Sequence, residues 1–567
     1  MKSLFAAAAM LAVPLAALGQ QPAAPKPSAG QQVIPPVSES VEVSVTNVEV
    51  IVTDSKGNRV PGLTRDDFEV RQDGVPQAIT NFYAVSGGKV LLEDGKVLGL
   101  DDPAAREELP VEVKARYIIF IDNLNIQPQN RNRMFGRLKE WVAQTIGKNA
   151  EAMVVTWNRS VKVRRKFTSE GGDIVGLLDQ IEMETGGRSS FAAERRDALQ
   201  RIDDSQSAPE GQQIARQFAE SVRSDIRFTI DALKDTINGL AGVAGRKTLI
   251  YVSEGLPSTV GLELYDAVQQ KFREQTNSLE QFEFNMDSQY LTIVQAANAQ
   301  GVTIWPLDAS GLQVNELVSA ENRQIQNRPS DFLMRTNMQA PLQMLAEQTG
   351  GLTAVNTNDW KKNLDELAKD FSNFYSIGYK TTRAGADRPH TIAVFVKKKG
   401  LTVRTRKGFV EKTIETRTAE AVVAALNYSR DDNPLGVALA VGESAPYDSE
   451  NFTIPARLTI PLGKVGLVPT GDHYEGTLYF YFVVLDVSGK QSDLTVKEEK
   501  IRVPLAKLQE AQAKFYPYEV KMLVVPGGQK VSIAVRDGVT SQVSYVQKNF
   551  FVSVLPKEKP REEKKGS

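Results

Sequence analysis

Cysteine is absent from the 567 residues, and histidine occurs only twice, as His390 and His473. No disulfide, thiolate metal site or cysteine nucleophile is available. A Ser-His-Asp triad could draw on only one of two histidines, and a three-histidine zinc site is ruled out. Excess charge is missing too: 68 Lys plus Arg against 69 Asp plus Glu leaves a net charge of −1. That balance argues against nucleic acid or an anionic membrane as the main partner. After the N-terminal segment there is no run of about 18 apolar residues, so no membrane span is expected in the mature chain. Most hydrolytic chemistry is thereby disfavoured, and the chain reads as not an enzyme.

What is present is ordinary for a globular protein, with 41% hydrophobic and 24% charged residues. At roughly 150 residues per domain, the length suggests about three to four domains. Residues 1–19 read as a secretory signal peptide: Lys2, an apolar run from Leu4 to Leu18, and small residues before Gln20. Residues 20–40, rich in Pro, Ala and Gln, read as an extended linker. The expected location is therefore secreted, periplasmic or extracellular.

From Val41 the pattern changes to alternation, which marks strands with one buried face. Residues 41–110 read as an N-terminal β module and linker, with turns at Asp54–Gly57 and Asp73-Gly74. Over 111–372 the signal is different. Apolar runs at 116–121, 152–157, 247–253 and 302–307 alternate with helical spacing, as at Met134, Leu138, Trp141 and Val142. Such runs suit strands buried on both faces of a parallel sheet. Helix is expected over about 262–299 and over 341–348, and a strand over 352–355. The fold class is thus α/β, a doubly wound, mainly parallel sheet flanked by β-sandwich modules. Residues 373–412 return to strands that would complete the N-terminal β module. Residues 413–556 read as a C-terminal β-sandwich, strand-like from Ala421, and 557–567 as a charged disordered tail.

A strand ending in Asp122, a later strand ending in Ser253-Glu254-Gly255, and a helix ending in Thr349-Gly350-Gly351 together resemble a von Willebrand factor type A domain. The flanks sharpen the likeness: Pro61–Val70 (PGLTRDDFEV), Asp73-Gly74 with Gln77 and Phe82, Tyr375–Tyr379 (YSIGY) and Val403–Phe409 (VRTRKGF). They look like the secreted bacterial VWFA-related family first defined in acidobacteria, over about residues 41 to 410. The resemblance implies a metal-ion-dependent adhesion site. In that family Asp-x-Ser-x-Ser, a Thr and an Asp on three loops hold Mg²⁺, which clamps an acidic residue of a protein partner. Mg²⁺ takes hard oxygen ligands in an octahedron.

Here the site is degenerate. The first loop reads Asp122-Asn123-Leu124-Asn125-Ile126, with apolar residues at both serine positions. In the second, Arg188 follows Gly186-Gly187, and Ser189 or Ser190 would have to substitute for Thr. In the third, Glu254 stands where Asp is usual. Two readings stay open. Either Asp122, Asn125, Ser189 and Glu254 hold Mg or another divalent cation, or the fold persists without metal and the same edge, including Asn123, Arg188 and Asp308, meets its partner directly. No catalytic residue and no organic cofactor is implied. Asp54, Asp66, Asp67 and Asp73 are better explained by turn chemistry than by calcium, and His390 by a structural role. Glu182 and Glu184 lack any further support as a hydrolytic pair.

The expected function is a secreted protein-interaction or adhesion protein acting through the carboxyl edge of the α/β domain on an unknown protein ligand. An envelope scaffold acting through its β domains is the alternative, and a secreted hydrolase a disfavoured third.

Overall fold

The computed structural model describes residues 45–100, 102, 108–110, 113–147, 149–185, 188–273, 283–312, 330–380, 387–427, 430 and 432–553. The expected signal peptide, linker and charged tail lie outside the described residues. Residues 42–413 form one compact unit and 414–567 belong to a second. No helix among the described residues is long and apolar enough to cross a membrane.

The first unit is organised around a five-stranded sheet. Its strands are β1 (Ala115–Asp122), β2 (Ala150–Trp157), β3 (Val161–Thr168), β4 (Arg246–Ser253) and β5 (Val302–Asp308), in the order β5-β4-β1-β2-β3. All neighbours are parallel except the β2–β3 hairpin. The apolar runs have the cause assigned to them: Ile118 to Ile121 and Leu249 to Val252 are closed to solvent on both faces.

Helices follow in chain order: α1 (Pro128–Thr145), α2 (Gly171–Glu182), α3 (Arg188–Asp204), α4 (Ala208–Asn238), α5 (Leu262–Phe272), α6 (Asp287–Gln300), α7 (Ser330–Thr349) and α8 (Trp360–Ser372). One core joins Tyr117, Ile119 and Ile121 of β1 to Phe135 and Leu138 of α1, Ile174 and Leu178 of α2, and Leu364 of α8. The other parity of β1 faces away from that core, and there Phe120 packs against Tyr251. Burial of these apolar faces is the main favourable term holding the layers together.

Three local expectations change. Among the described residues the helix expected over 262–299 appears as α5 and α6, and Asn285, just before α6, bridges Thr259, just before α5. The helix expected over 341–348 begins at Ser330 and runs through Pro341. Residues 352–355 add only one bridge, Leu307 to Ala354, because Gly350 and Gly351 turn the chain directly before it.

Around this layer, strands from both sides of the α/β segment interleave. Val45–Thr53 lies between Asn373–Lys380 and Thr402–Arg404 in a six-stranded sheet with Ile79–Ser86, Lys89–Leu92 and Val97–Gly99. Arg388–Val396 lies between Phe68–Gln72 and Gly408–Glu411 in a four-stranded sheet with Val75–Gln77. Val48, Val50, Phe68, Tyr375, Ile377 and Val394 share one core. Asp73 (φ 50°) and Gly74 (φ 79°) make the tight turn of one hairpin, and Asp54 accepts from the backbone of Lys56 and Asn58 in another turn. His390 Nδ1 meets Asp73 Oδ2 at 2.7 Å and its ring stacks on Phe409.

The second unit opens with helix α9 (Ile414–Asn427), not with a strand. Ala421, Val422 and Leu426 recur at helical spacing and pack on Tyr481, Val483 and Ala534. Beyond it, two antiparallel sheets contribute Ile454, Leu458, Phe480, Phe482, Val520 and Ile533 to a single core.

Candidate functional site

The strand order reverses at β1, since β2 lies on one side and β4 on the other. In open α/β sheets, ligands gather outside the carboxyl ends of the strands at such a switch point. Here that point lies between Asp122, the last residue of β1, and Ser253-Glu254 at the end of β4.

Asp122 is fully buried. Its carboxylate accepts from the Asn125 backbone N–H (3.1 Å), Asn125 Nδ2 (3.0 and 3.1 Å), the Tyr251 hydroxyl (2.6 Å) and Ser253 Oγ (3.3 Å). Burial pushes its carboxyl above the ordinary range, outweighing the donors from Tyr251, Asn125 and Ser253 that pull it down. Burial and the Asp122 carboxylate also push the Tyr251 hydroxyl well above an ordinary phenol. The network continues to α4: Thr229 Oγ1 accepts from Asn125 Nδ2 (3.2 Å) and Trp157 Nε1 (3.0 Å). The ends of β1, β2, β4 and the middle of α4 are thus tied by hydrogen bonds from neutral donors.

The other expected residues take separate places. Asn123, expected on an open edge, is buried, and its side-chain oxygen accepts from Arg131 at 2.9 Å. Glu254 Oε1 accepts from the Gln127 backbone N–H (2.8 Å) and Asn130 Nδ2 (2.9 Å). It therefore covers the N-terminus of α1, where Pro128 occupies the first turn and a negative charge is favoured. Asp308, also expected on the edge, is buried and accepts from Ser310 and from Gln339 Nε2 of α7 (2.9 Å). Leu124 and Ile126, at the family's serine positions, are buried, and Ile126 belongs to the sheet core. Arg188 and Ser189 open α3, and their side chains lie outside the described residues, as do Gly186 and Gly187.

The edge is also roofed. Gly255 (φ 94°) passes so close to α7 that a Cβ there would lie 2.5 Å from the Met338 carbonyl oxygen. Asn337 of α7 exchanges side-chain hydrogen bonds with the Thr259 backbone at 2.8 Å each way. The loop after β1 leaves Asn125 and Gln127 half-buried and Gln129 exposed, and on α4 Phe228, next in sequence to Thr229, has 56% of its surface exposed.

The described donor set does not fit a divalent cation. The three carboxylates are turned to different protein donors, and the two expected hydroxyls are replaced by core residues. Among the described residues no group of three or more His, Asp or Glu side chains is placed to hold a metal ion.

Sequence reasoning overlooked Tyr251, Ser253, Thr229 and Arg131. The first two had a signal: they sit two apart on β4, on the strand parity that shares a face with Phe120 and Asp122. Arg131 had none. Its guanidinium is fully buried and donates to the carbonyls of Glu182 (3.1 Å), the last residue of α2, and Glu184 (2.8 Å) just beyond it.

No family model and no curated protein matches the chain. Solved structures give low similarities. A Bacteroides fragilis aerotolerance-related membrane protein is 10% identical, covering 45% of this chain and 98% of its own, with a TM-score of 0.23. BatB from Bacteroides thetaiotaomicron is 10% identical over the same shares, 45% and 98%, with a TM-score of 0.20. The manganese-loaded TRAP protein of Plasmodium vivax is 7% identical over 53% of this chain and 95% of its own, with a TM-score of 0.22. The fold described above accordingly stands on its own strand order.

Proposed function

We propose that the chain is a secreted, non-enzymatic protein-interaction or adhesion protein with a type A-like α/β domain, working through the carboxyl rim of its central sheet without a metal ion. The observation that carries this reading is the switch point between β1 and β4, with Asp122 held there by neutral donors. A rigid hydrogen-bonded floor under a polar rim with an exposed aromatic suits recognition of another protein surface, where buried aromatics often anchor the contact. Asp122 in this reading shapes the loops and does not touch the partner.

The test is capture from the native envelope fraction with the full chain and with a Gln129→Glu, Phe228→Asp variant. A partner retained in chelator and lost in the variant supports the reading. Loss in chelator points back to a cation. A partner kept by the variant, and lost on deleting 414–567, favours the scaffold alternative.

A further inference from the structure

The opposite end of the central sheet carries a second polar site. A cavity of about 180 Å³ lies where the amino ends of β4 and β5 meet the β module, beside the ends of α7 and α8. It is too small for a drug-sized ligand, which needs about 300 Å³ or more, and has room for a small ion with its contacts. Four cations line it, Arg246, Lys247, Arg404 and Arg406, against two carboxylates, Glu49 and Asp370.

The carboxylates are already taken. Arg246 Nε sits 2.7 Å from Glu49 Oε2, and Arg404 pairs with Asp370. Lys247 Nζ donates to the Val243 carbonyl at 2.9 Å. Among the described residues Arg406 has a carbonyl and no carboxylate partner: one terminal nitrogen donates to Asn47 O at 2.7 Å. Its Nε and the neighbouring Thr405 Oγ1 are closed to solvent and have no hydrogen-bond partner among the described residues. Burial pushes the Arg406 guanidinium below its ordinary value, with Glu49 only partly opposing it. Gly350 (φ 83°) lets the chain pass so close that a Cβ would lie 2.7 Å from the Arg406 backbone nitrogen, and the Lys407 N–H donates to the Gln348 carbonyl at 3.1 Å, tying this segment to the end of α7.

Unmade hydrogen bonds from a buried cation are costly, and a buried cation without an anion more so. A small oxyanion supplies several acceptors at once and matches guanidinium geometry. We propose that this cavity binds a small oxyanion of the phosphate or sulfate class, held by Arg406 and Thr405. The guanidinium fork and the hydroxyl favour a multi-acceptor oxyanion over chloride.

The experiment is thermal unfolding and calorimetric titration of the full chain with inorganic phosphate and with sulfate, each against chloride at equal ionic strength. A saturable upward shift of about 2–4 °C with either oxyanion and none with chloride is expected. Arg406→Lys, which keeps the charge but loses the fork, and Thr405→Val, which keeps the shape but loses the hydroxyl, should each weaken binding about tenfold or more. Thr405→Val carries the test if Arg406→Lys fails to fold, as judged by unfolding in chloride. Equal curves in oxyanion and chloride would mean that water alone fills the cavity. Unchanged affinity in a folded variant would place any binding elsewhere. Either result overturns the proposal.

Discussion

Two buried carboxylates, at opposite ends of one sheet, are satisfied in opposite ways. Asp122 at the carboxyl end has only neutral donors, from β4 and its own loop. Asp370 in the last turns of α8 has guanidinium groups from two separate segments of the β module: Arg59 at 2.5 Å and Arg404. Arg59 also reaches Glu366 at 2.9 Å. The neutral network shapes one loop cluster. The ion pairs tie one layer to another, because long cationic side chains reach across where backbone hydrogen bonds do not. A buried carboxylate is therefore not by itself the mark of a cation site: its meaning lies in what surrounds it.

The largest effect should come from breaking the charged case. Asp370→Ala leaves the partly buried Arg404 without its carboxylate and Arg59 with Glu366 alone, and a loss of about 3 kcal/mol is expected in urea unfolding. Under 1 kcal/mol would reduce the cluster to an ordinary surface network and erase the contrast. Asp122→Ala should cost about 2 kcal/mol, since the Tyr251 hydroxyl and the Asn125 amide lose their acceptor. If its stability instead responds to Mg²⁺ in the parent and not in the variant, the metal-free reading of this edge is wrong.

Glu254→Ala should cost about 1 kcal/mol through the uncovered start of α1, and Glu254→Gln much less, because the amide oxygen still accepts from Gln127. Equal losses in the two variants would show that the charge matters more than the hydrogen bond.

The subtlest effect is in pH. An Asp whose folded pKa lies above its unfolded value of about 3.9 contributes stability that is complete below that value. That contribution is lost as pH rises through the folded pKa. Asp122 is such a group. Wild type should therefore lose stability relative to Asp122→Asn as pH rises from about 4 towards neutrality. A difference that grows in favour of wild type over that range would mean that the donors outweigh burial.

Much of this was legible along the chain. Four apolar runs became the parallel strands, since a strand covered on both faces needs no polar alternation. Asp122 and Glu254 were found at the ends of adjacent strands for the same reason. The end of α5 at Phe272 was not legible: Arg273 takes a left-handed backbone (φ 52°), which local spacing does not mark. Nor was α9, whose apolar residues read equally well as a strand until Tyr481 and Ala534 offered a helix-sized face.

The sequence alone therefore determined the element types of the central sheet, the missing serines at 124 and 126, and the exclusion of thiol chemistry, since these depend on residue identity and local period. Only the tertiary structure decided which way each carboxylate turns. Asp122, Glu254 and Asp308 lie on one edge, yet each is claimed by a different donor set brought from β4, α1 or α7. A side chain's partners are set by distances through space between segments far apart in the chain, and those distances have no imprint on local periodicity.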